Sequence, residues 1–323
     1  MRTGIQQNEF SKAKENNSSL LKRFYIYQKE RFPLVGYALL VASFSFSAIS
    51  YSRICRGAEG FVDLKTYFVG IFTTISLFLL VRIFDEFKDA DDDAKYRKEL
   101  PVPRGLVSLR ELGILGSILA VLQIAVNLFF FPKILLIYFA IIAYLLLMGK
   151  EFFIPGWLKK HQFWYVTSHM FIIPFIDIYA SGLDWLLAGV SAPPGLLFFF
   201  AVSYMNGIVL EIGRKIRIPE KEAHGVLSYT SMLGTNRAVI LWIFILFITL
   251  VLSIAASIFA GYGMPVFLVL GSVFVICSLP GLLFLPNKKY TYSKMIEYAS
   301  ALWTIAMYLT LGGGPMISKL FFN

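Results

Sequence analysis

Residues 66–93 read TYFVGIFTTISLFLLVRIFDEFKDADDD. The stretch runs apolar from Thr66 to Phe84, with Arg82 as its one charge. It then places six acids in nine residues: Asp85, Glu86, Asp89, Asp91, Asp92 and Asp93. The apolar part is long enough to cross a bilayer as a helix, a form that satisfies its own backbone polar groups in hydrocarbon. The acidic part must then lie where that helix leaves the membrane.

The rest of the chain fits this reading. Of its 323 residues, 57% are apolar and 15% charged, where a soluble domain of this size carries roughly a quarter charged. Phe and Tyr number 31 and 17, and mean hydropathy is +0.68. Nine runs are expected to span: 33–52, 66–84, 111–130, 133–149, 163–181, 194–212, 237–259, 263–285 and 295–313. Tight turns are expected near Phe131-Pro132 and near Gly261-Tyr262-Gly263. Residues 1–32 are polar and lack the apolar segment of a secretory signal. They read as a cytoplasmic tail, with an amphipathic stretch around Leu20 to Tyr27, ahead of one nine-helix domain over 33–323. Cys55 and Cys277 are too far apart in sequence to suggest a disulfide framework or a metal site.

Charge sets the expected orientation. With nine spans, 25 of the 30 Lys and Arg fall on the side of the N-terminus. Only Arg53, Arg56, Lys65, Lys133 and Lys319 fall opposite. The positive-inside rule then puts the N-terminus in the cytoplasm and the C-terminus outside. The net charge of +10 is therefore topological, and nucleic acid drops out as a partner.

Asp85, Asp89 and Asp93 recur every fourth residue and share one face if the helix continues, with Glu86 and Asp92 flanking them. Carboxylates stacked this way repel unless a cation lies between them. Hard oxygen ligands in this number suit Mg²⁺ bridging carboxylates to phosphate oxygens. The alternative is a solvated acidic loop, against which stands its place on the side favouring Lys and Arg. Arg97, Lys98 and Arg104 follow closely, giving bases for an anion behind acids for a metal; topological anchoring alone could also explain them. Span six ends YMNGIVLEIGRKIR (204–217), with Asn206 and Glu211 as polar groups in an apolar helix, a functional signal by default. Glu211 and Lys215 could instead be a plain intrahelical pair, and Gly207 would allow a close approach. Lys150 ends span four and could reach a phosphate or simply snorkel. His169 reads as a packing residue, and Asp177 falls too near the far side to join the site.

On these residues the chain resembles the UbiA superfamily of intramembrane prenyltransferases, nine-helix proteins with Asp-rich motifs after spans two and six. The family's Asn-Asp-x-x-Asp-x-x-x-Asp falls on Asp85, Glu86, Asp89 and Asp93. Its Arg/Lys-Pro-x-x-x-Gly stretch resembles Leu100 to Gly105, and its Tyr and Lys at the end of span four match Tyr144 and Lys150. The second motif, Asp-x-x-x-Asp, falls on Glu211 and Lys215, so an ammonium replaces one carboxylate and a two-metal site is in doubt; Glu220 or Glu222 is the other source of the missing acid.

The resemblance implies an all-α membrane protein, a UbiA-like bundle around a lipid-open cavity. It implies Mg²⁺-dependent transfer of a prenyl group from an isoprenoid diphosphate to an aromatic or lipid acceptor. Asp85, Glu86, Asp89, Asp93 and Glu211 would hold metal, with Asn206 also catalytic. Tyr144, Lys150, Arg97, Lys98, Arg104, Arg214 and Lys215 would hold diphosphate. The location implied is a bacterial cell membrane, with the site on the cytoplasmic side and membrane lipid as a partner. Two other readings are a terpene cyclase on the same fold and a divalent-cation transporter. A phosphatidyltransferase is excluded, since its Asp-Gly-x-x-Ala-Arg pattern is missing.

Overall fold

The computed structural model describes residues 16, 18–222 and 228–322, and the side chains of 319–322 are outside the description. Most of the expected tail (1–15 and 17), the Lys319 side chain and the last residue therefore lie outside the described residues. Everything described is helix, turn or loop.

Eight helical segments are long and apolar enough to cross a membrane: Leu34–Cys55, Leu64–Lys88, Leu109–Phe130, Pro132–Gly149, Gln162–Trp185, Leu196–Gly213, Thr235–Phe259 and Met264–Phe284. They coincide with the first eight expected spans. The expected ninth, 295–313, is helical but outside this set. Its helix, Tyr290–Tyr308, carries Lys294 and Glu297 and has lower mean hydropathy. A π-helical turn, Leu309–Gly313, leads it into Gly314–Phe322.

The elements are numbered as follows: α1 Leu20–Arg31, α2 Leu34–Cys55, α3 Leu64–Lys88, α4 Ala90–Tyr96, α5 Leu109–Phe130, α6 Leu135–Gly149, α7 Pro155–Lys160, α8 Gln162–Met170, α9 Ile172–Trp185, α10 Leu196–Gly213, α11 Tyr229–Leu233, α12 Thr235–Phe259, α13 Met264–Phe284, α14 Tyr290–Tyr308 and α15 Gly314–Phe322. Local sequence sets their limits. Asp63 caps α3 by accepting from the Thr66 amide at 2.7 Å. Ser108 and Glu111 form a reciprocal capping box on α5. The fifth span breaks between α8 and α9, where Pro174 cannot donate to Met170 and its ring crowds that carbonyl. Both tight turns occur, one as the 3-10 turn Pro132–Ile134 and one at Gly261, whose φ of +73° suits glycine.

Large side chains fill the centre. Trp242, Trp303, Tyr51, Tyr138, Tyr179 and Phe199 are fully buried, while α5, α12 and α13 turn Leu, Ile and Phe outward. In a membrane such outward residues meet lipid, so apolar burial does not drive helix association there. Polar contacts join the helices instead. The Tyr179 hydroxyl donates to Asn127 Oδ1 at 2.6 Å, and Asn127 Nδ2 donates to Thr73 at 3.1 Å. The Tyr138 hydroxyl donates to Gln123 at 2.8 Å. These bonds tie α3, α5, α6 and α9 together.

One close approach is set by a single glycine. A Cβ on Gly312 would lie 2.2 Å from the Ser47 carbonyl oxygen of α2. Gly312→Ala is expected to destabilise the bundle by about 1–3 kcal/mol through overpacking. The check is the thermal midpoint of the detergent-solubilised chain; an unchanged midpoint would mean the two backbones separate freely.

Candidate functional site

The acidic run does not continue as one stripe. Helix α3 ends at Lys88, and Asp89 (φ −92°, ψ 6°) joins it to α4. Asp85 and Asp89 stay one turn apart, with the Asp89 amide donating to the Asp85 carbonyl at 2.9 Å. The cation between them is Lys88: its Nζ lies 3.8 Å from Asp85 and 3.4 Å from Asp89. Lys88 also donates to the Tyr165 hydroxyl and lies 5.0 Å from that ring's centre. Tyr165 stacks on His169 at 4.2 Å. The His169 Nδ1 meets the Tyr165 carbonyl at 2.8 Å, and its Nε2 has no hydrogen-bond partner among the described residues. Neither Lys88 nor Tyr165 was expected in the site, although a Lys three residues after Asp85 was visible inside the quoted run.

Glu86 and Asp93 turn to the other side, where Arg31 of α1 bridges them. Arg31 Nε donates to Glu86 at 2.6 Å, and its Nη2 lies 3.8 Å from Asp93. Arg82 adds a second bond to Glu86 at 3.1 Å, and only 1% of the Glu86 side chain is exposed. Arg97 binds Asp93 at 3.1 Å. Burial raises the Asp93 carboxyl above the ordinary carboxylate range, with Arg97 and Arg31 pulling it back. Arg104 forms two 2.7 Å bonds with Glu30, and Lys98 is exposed. Of the expected site, then, Glu86 of α3 and Asp93 of α4 meet on Arg31 of α1, Arg97 stays with Asp93, and Arg104 ties the loop after α4 to Glu30 of α1. Asp85 and Asp89 keep their carboxylates toward Lys88.

The second region lies at the end of α10. Glu211 holds two bases of its own helix, Arg214 through Nε at 2.8 Å and Lys215 through Nζ. Glu211 raises the Arg214 pKa above its ordinary value, and Asp85 adds to the same effect. Asp85 at the end of α3 therefore lies within electrostatic reach of Arg214 at the end of α10. Tyr229 of α11 lies beside them, with Lys215 6.0 Å from its ring centre; burial, then Glu211, raises its phenol. Glu222, the other candidate acid, accepts from Ser228 at 2.7 Å and from Thr230, so it serves the turn into α11. Gly207 is filled from within the chain, since a Cβ there would lie 2.3 Å from Ile173 Cδ1.

At the end of α6, the Tyr144 hydroxyl donates to the Ser168 carbonyl at 2.7 Å, and its ring packs 4.6 Å from Phe175. Lys150 is exposed at the helix end, with no ion-pair partner among the described residues. Glu151, Phe152 and Phe153 follow it with φ of 48°, 53° and 60°. Three successive side-chain-bearing residues in the left-handed region are costly, and such strain clusters at functional sites. The Phe152 ring centre lies 5.5 Å from that of Tyr144 and 6.0 Å from that of His169, both edge to face, joining α6 to α8.

Deeper in the bundle, Asn206 is fully buried, and neither amide atom has a partner of full hydrogen-bond geometry among the described residues. Asp177 and Ser203 are likewise buried without a partner of full hydrogen-bond geometry among the described residues; Ser203 neighbours Asp177, and Tyr308 faces all three. Asp177, set aside on sequence for its depth, thus belongs to an interior polar cluster on α9, α10 and α14.

No group of three or more His, Cys, Asp or Glu side chains converges as a metal cage among the described residues. Asp85 and Asp89 still suit Mg²⁺ chemically. That ion is bound through one or two carboxylates, with waters and substrate phosphates completing its octahedron.

Comparisons with known proteins agree with the architecture. The sequence model of the UbiA prenyltransferase family matches residues 38–313. The apo structure of a UbiA homolog from Aeropyrum pernix K1 superposes with a TM-score of 0.61 at 16% identity, covering 87% of this chain and 98% of that one. A structure of digeranylgeranylglyceryl phosphate synthase superposes with a TM-score of 0.55 at 17% identity, covering 86% and 98%. At such identities the two structures speak for the fold alone. No curated protein matches the chain by sequence.

Proposed function

Because the chain belongs to the UbiA prenyltransferase family, we propose that it transfers a prenyl group from an isoprenoid diphosphate to a hydrophobic acceptor, with Mg²⁺, at the mouth between α3 and α10. One observation carries this reading: Asp85, in the Asp85–Lys88–Asp89 turn, lies within electrostatic reach of Arg214, in the Glu211–Arg214–Lys215 turn. This opposes two half-exposed carboxylates to fixed cations, an arrangement complementary to a metal-bound diphosphate.

Asp85 and Asp89 would hold the ion. When bound, it supplies charge neutralisation to the diphosphate as the leaving group forms. Arg214 and Lys215, set in place by Glu211, meet the same oxygens, and Lys150 approaches from α6. A fixed ammonium at Lys215 takes over part of the role of a second metal. The allylic C–O bond breaks with its electron pair going to the diphosphate. The acceptor then bonds to the carbon and loses a proton. Tyr144, Phe175, Phe171 and Tyr204 lie in aromatic contacts below the mouth, where ring faces stabilise a passing cation. Glu86 and Asp93 belong to the frame in this reading. By the charge asymmetry of the sequence, the mouth opens to the cytoplasm.

The test is release of inorganic diphosphate by the full chain from allylic diphosphates of several chain lengths, with and without Mg²⁺. Release that needs both Mg²⁺ and an allylic donor supports the reading. If no donor is bound or turned over, the reading fails.

A further inference from the structure

At the opposite end of the 25-residue helix α3, about 36 Å away at the helical rise, lies a cavity of about 510 Å³. It is bounded by the end of α2, the start of α3, the turn after α5 and the end of α9. Only five Lys or Arg were assigned to this side of the sequence. Arg53, Arg56 and Lys133 line this one cavity, and Lys65 stands beside it, 5.9 and 5.7 Å from the Phe130 and Phe131 ring centres. Basic residues are disfavoured on this side, so their convergence calls for a cause.

Pairing within the chain leaves charge over. Asp184, fully buried, takes Arg53 at 3.0 Å, Arg56 at 2.7 Å and the Ser52 hydroxyl at 2.8 Å. One carboxylate thus answers two guanidiniums. Asp63 is occupied by the α3 amide at Thr66 and by Lys65 at 3.7 Å. Lys133 is exposed and has no ion pair among the described residues.

The available donors can be told apart. Arg53 turns all three of its nitrogens into the chain, to Asp184 and to the carbonyls of Gly60 and Glu59. Arg56 gives Nε and Nη2 to Asp184 and keeps Nη1 without a partner among the described residues. Arg56 Nη1 and the Lys133 ammonium are therefore the groups ready for an anion. The rim says where that anion comes from. Phe130 lines the cavity and Phe129 packs against it with ring centres 4.8 Å apart; Phe129, and Leu64 and Phe68 in the first turns of α3, are large, apolar and strongly exposed, a surface suited to acyl chains.

We propose that this cavity binds the phosphodiester headgroup of an anionic phospholipid, through Arg56 and Lys133, with the acyl chains against Leu64, Phe68 and Phe129. A lipid whose headgroup also carries an ammonium would bring that charge against the same two residues, so the site discriminates in favour of net-anionic lipid.

Native mass spectrometry of the full chain in mild detergent, titrated with phosphatidylglycerol or phosphatidylcholine, tests this. Phosphatidylglycerol should be retained in preference. Lys133→Gln should weaken that retention about fivefold, the effect of one basic residue near anionic lipid, and Lys133→Glu should weaken it further, with phosphatidylcholine unchanged. Lys133 is exposed, so both variants should keep the wild-type thermal midpoint. Equal retention of the two lipids, or unchanged phosphatidylglycerol retention in Lys133→Glu, would overturn the proposal. Full displacement of phosphatidylglycerol by millimolar inorganic phosphate would overturn the lipid as occupant in favour of a free anion.

Discussion

Asp89→Ala is expected to lower diphosphate release by about 10²–10³-fold, the effect of losing one charge-stabilising group in a preorganised site, while leaving the fold intact. Asp89 sits at the helix junction with a side chain 36% exposed, and its one ion-pair contact among the described residues is Lys88 at 3.4 Å. Exposed pairs contribute about 0–1 kcal/mol, so the thermal midpoint should barely move. Asp85→Asn should behave alike in activity. Lys88→Met is the informative partner, because it removes the internal cation between the two carboxylates. If Lys88 stands where the metal complex assembles, the variant should need less Mg²⁺ for half-maximal activity. If Lys88 grips the diphosphate, donor binding should weaken instead. Full activity in Asp89→Ala would remove the carboxylate pair from the mechanism.

Arg31→Met should act through stability. The variant leaves Glu86, 1% exposed, with Arg82 alone, and Asp93 with Arg97 alone. Removing one partner of a buried ion pair typically destabilises by about 3–5 kcal/mol, because a buried charge is left uncompensated. The remaining arginines place the expected loss at the lower end of that range. Helix α1 would lose its anchor, so proteolysis within residues 20–31 should rise as the thermal midpoint falls. The double variant Arg31→Met with Glu86→Gln removes both charges and should recover much of the loss. An unchanged midpoint and protease pattern in Arg31→Met would show that the Tyr27 contacts with Ile83, Leu106, Val107 and Leu112 hold α1 unaided.

Most of the fold was legible because hydropathy in a membrane protein is a direct record of its solvent. Eight spans fall where their apolar runs fall, and Pro174 marks the break in the fifth. The expected ninth was less plain in the sequence, because its helix mixes Lys294 and Glu297 with apolar residues and ends in a π turn. At the site, spacing correctly joined Asp85 to Asp89 and Glu211 to Lys215, since both are contacts within one turn. Spacing could not divide the acidic run. The residue that draws Glu86 aside is Arg31, 55 positions earlier, and no local pattern reports such a pairing. Arg104 on Glu30 is the same case, 74 positions apart. The Asp177 cluster was missed for a related reason. Its members come from three helices, and depth along one span says nothing of what the neighbouring spans present.

The two ends of the bundle use charge differently. At the mouth, Asp85 and Asp89 stand beside Lys88, and Glu211 beside Arg214 and Lys215. At the far end, one buried Asp184 orders two arginines and leaves a positive surplus. Both arrangements rest on α3, which carries Asp63 at one cap and Asp89 at the other.

The most direct measurement is electron paramagnetic resonance of Mn²⁺, standing in for Mg²⁺, with the full chain and an unreactive geranylgeranyl thiodiphosphate. The expected result is a bound-ion signal that needs protein and diphosphate together, and that is lost when Asp85→Asn and Asp89→Asn are combined. A bound-ion signal that persists in the double variant, or forms equally well without the diphosphate, would contradict a metal–diphosphate site at this mouth.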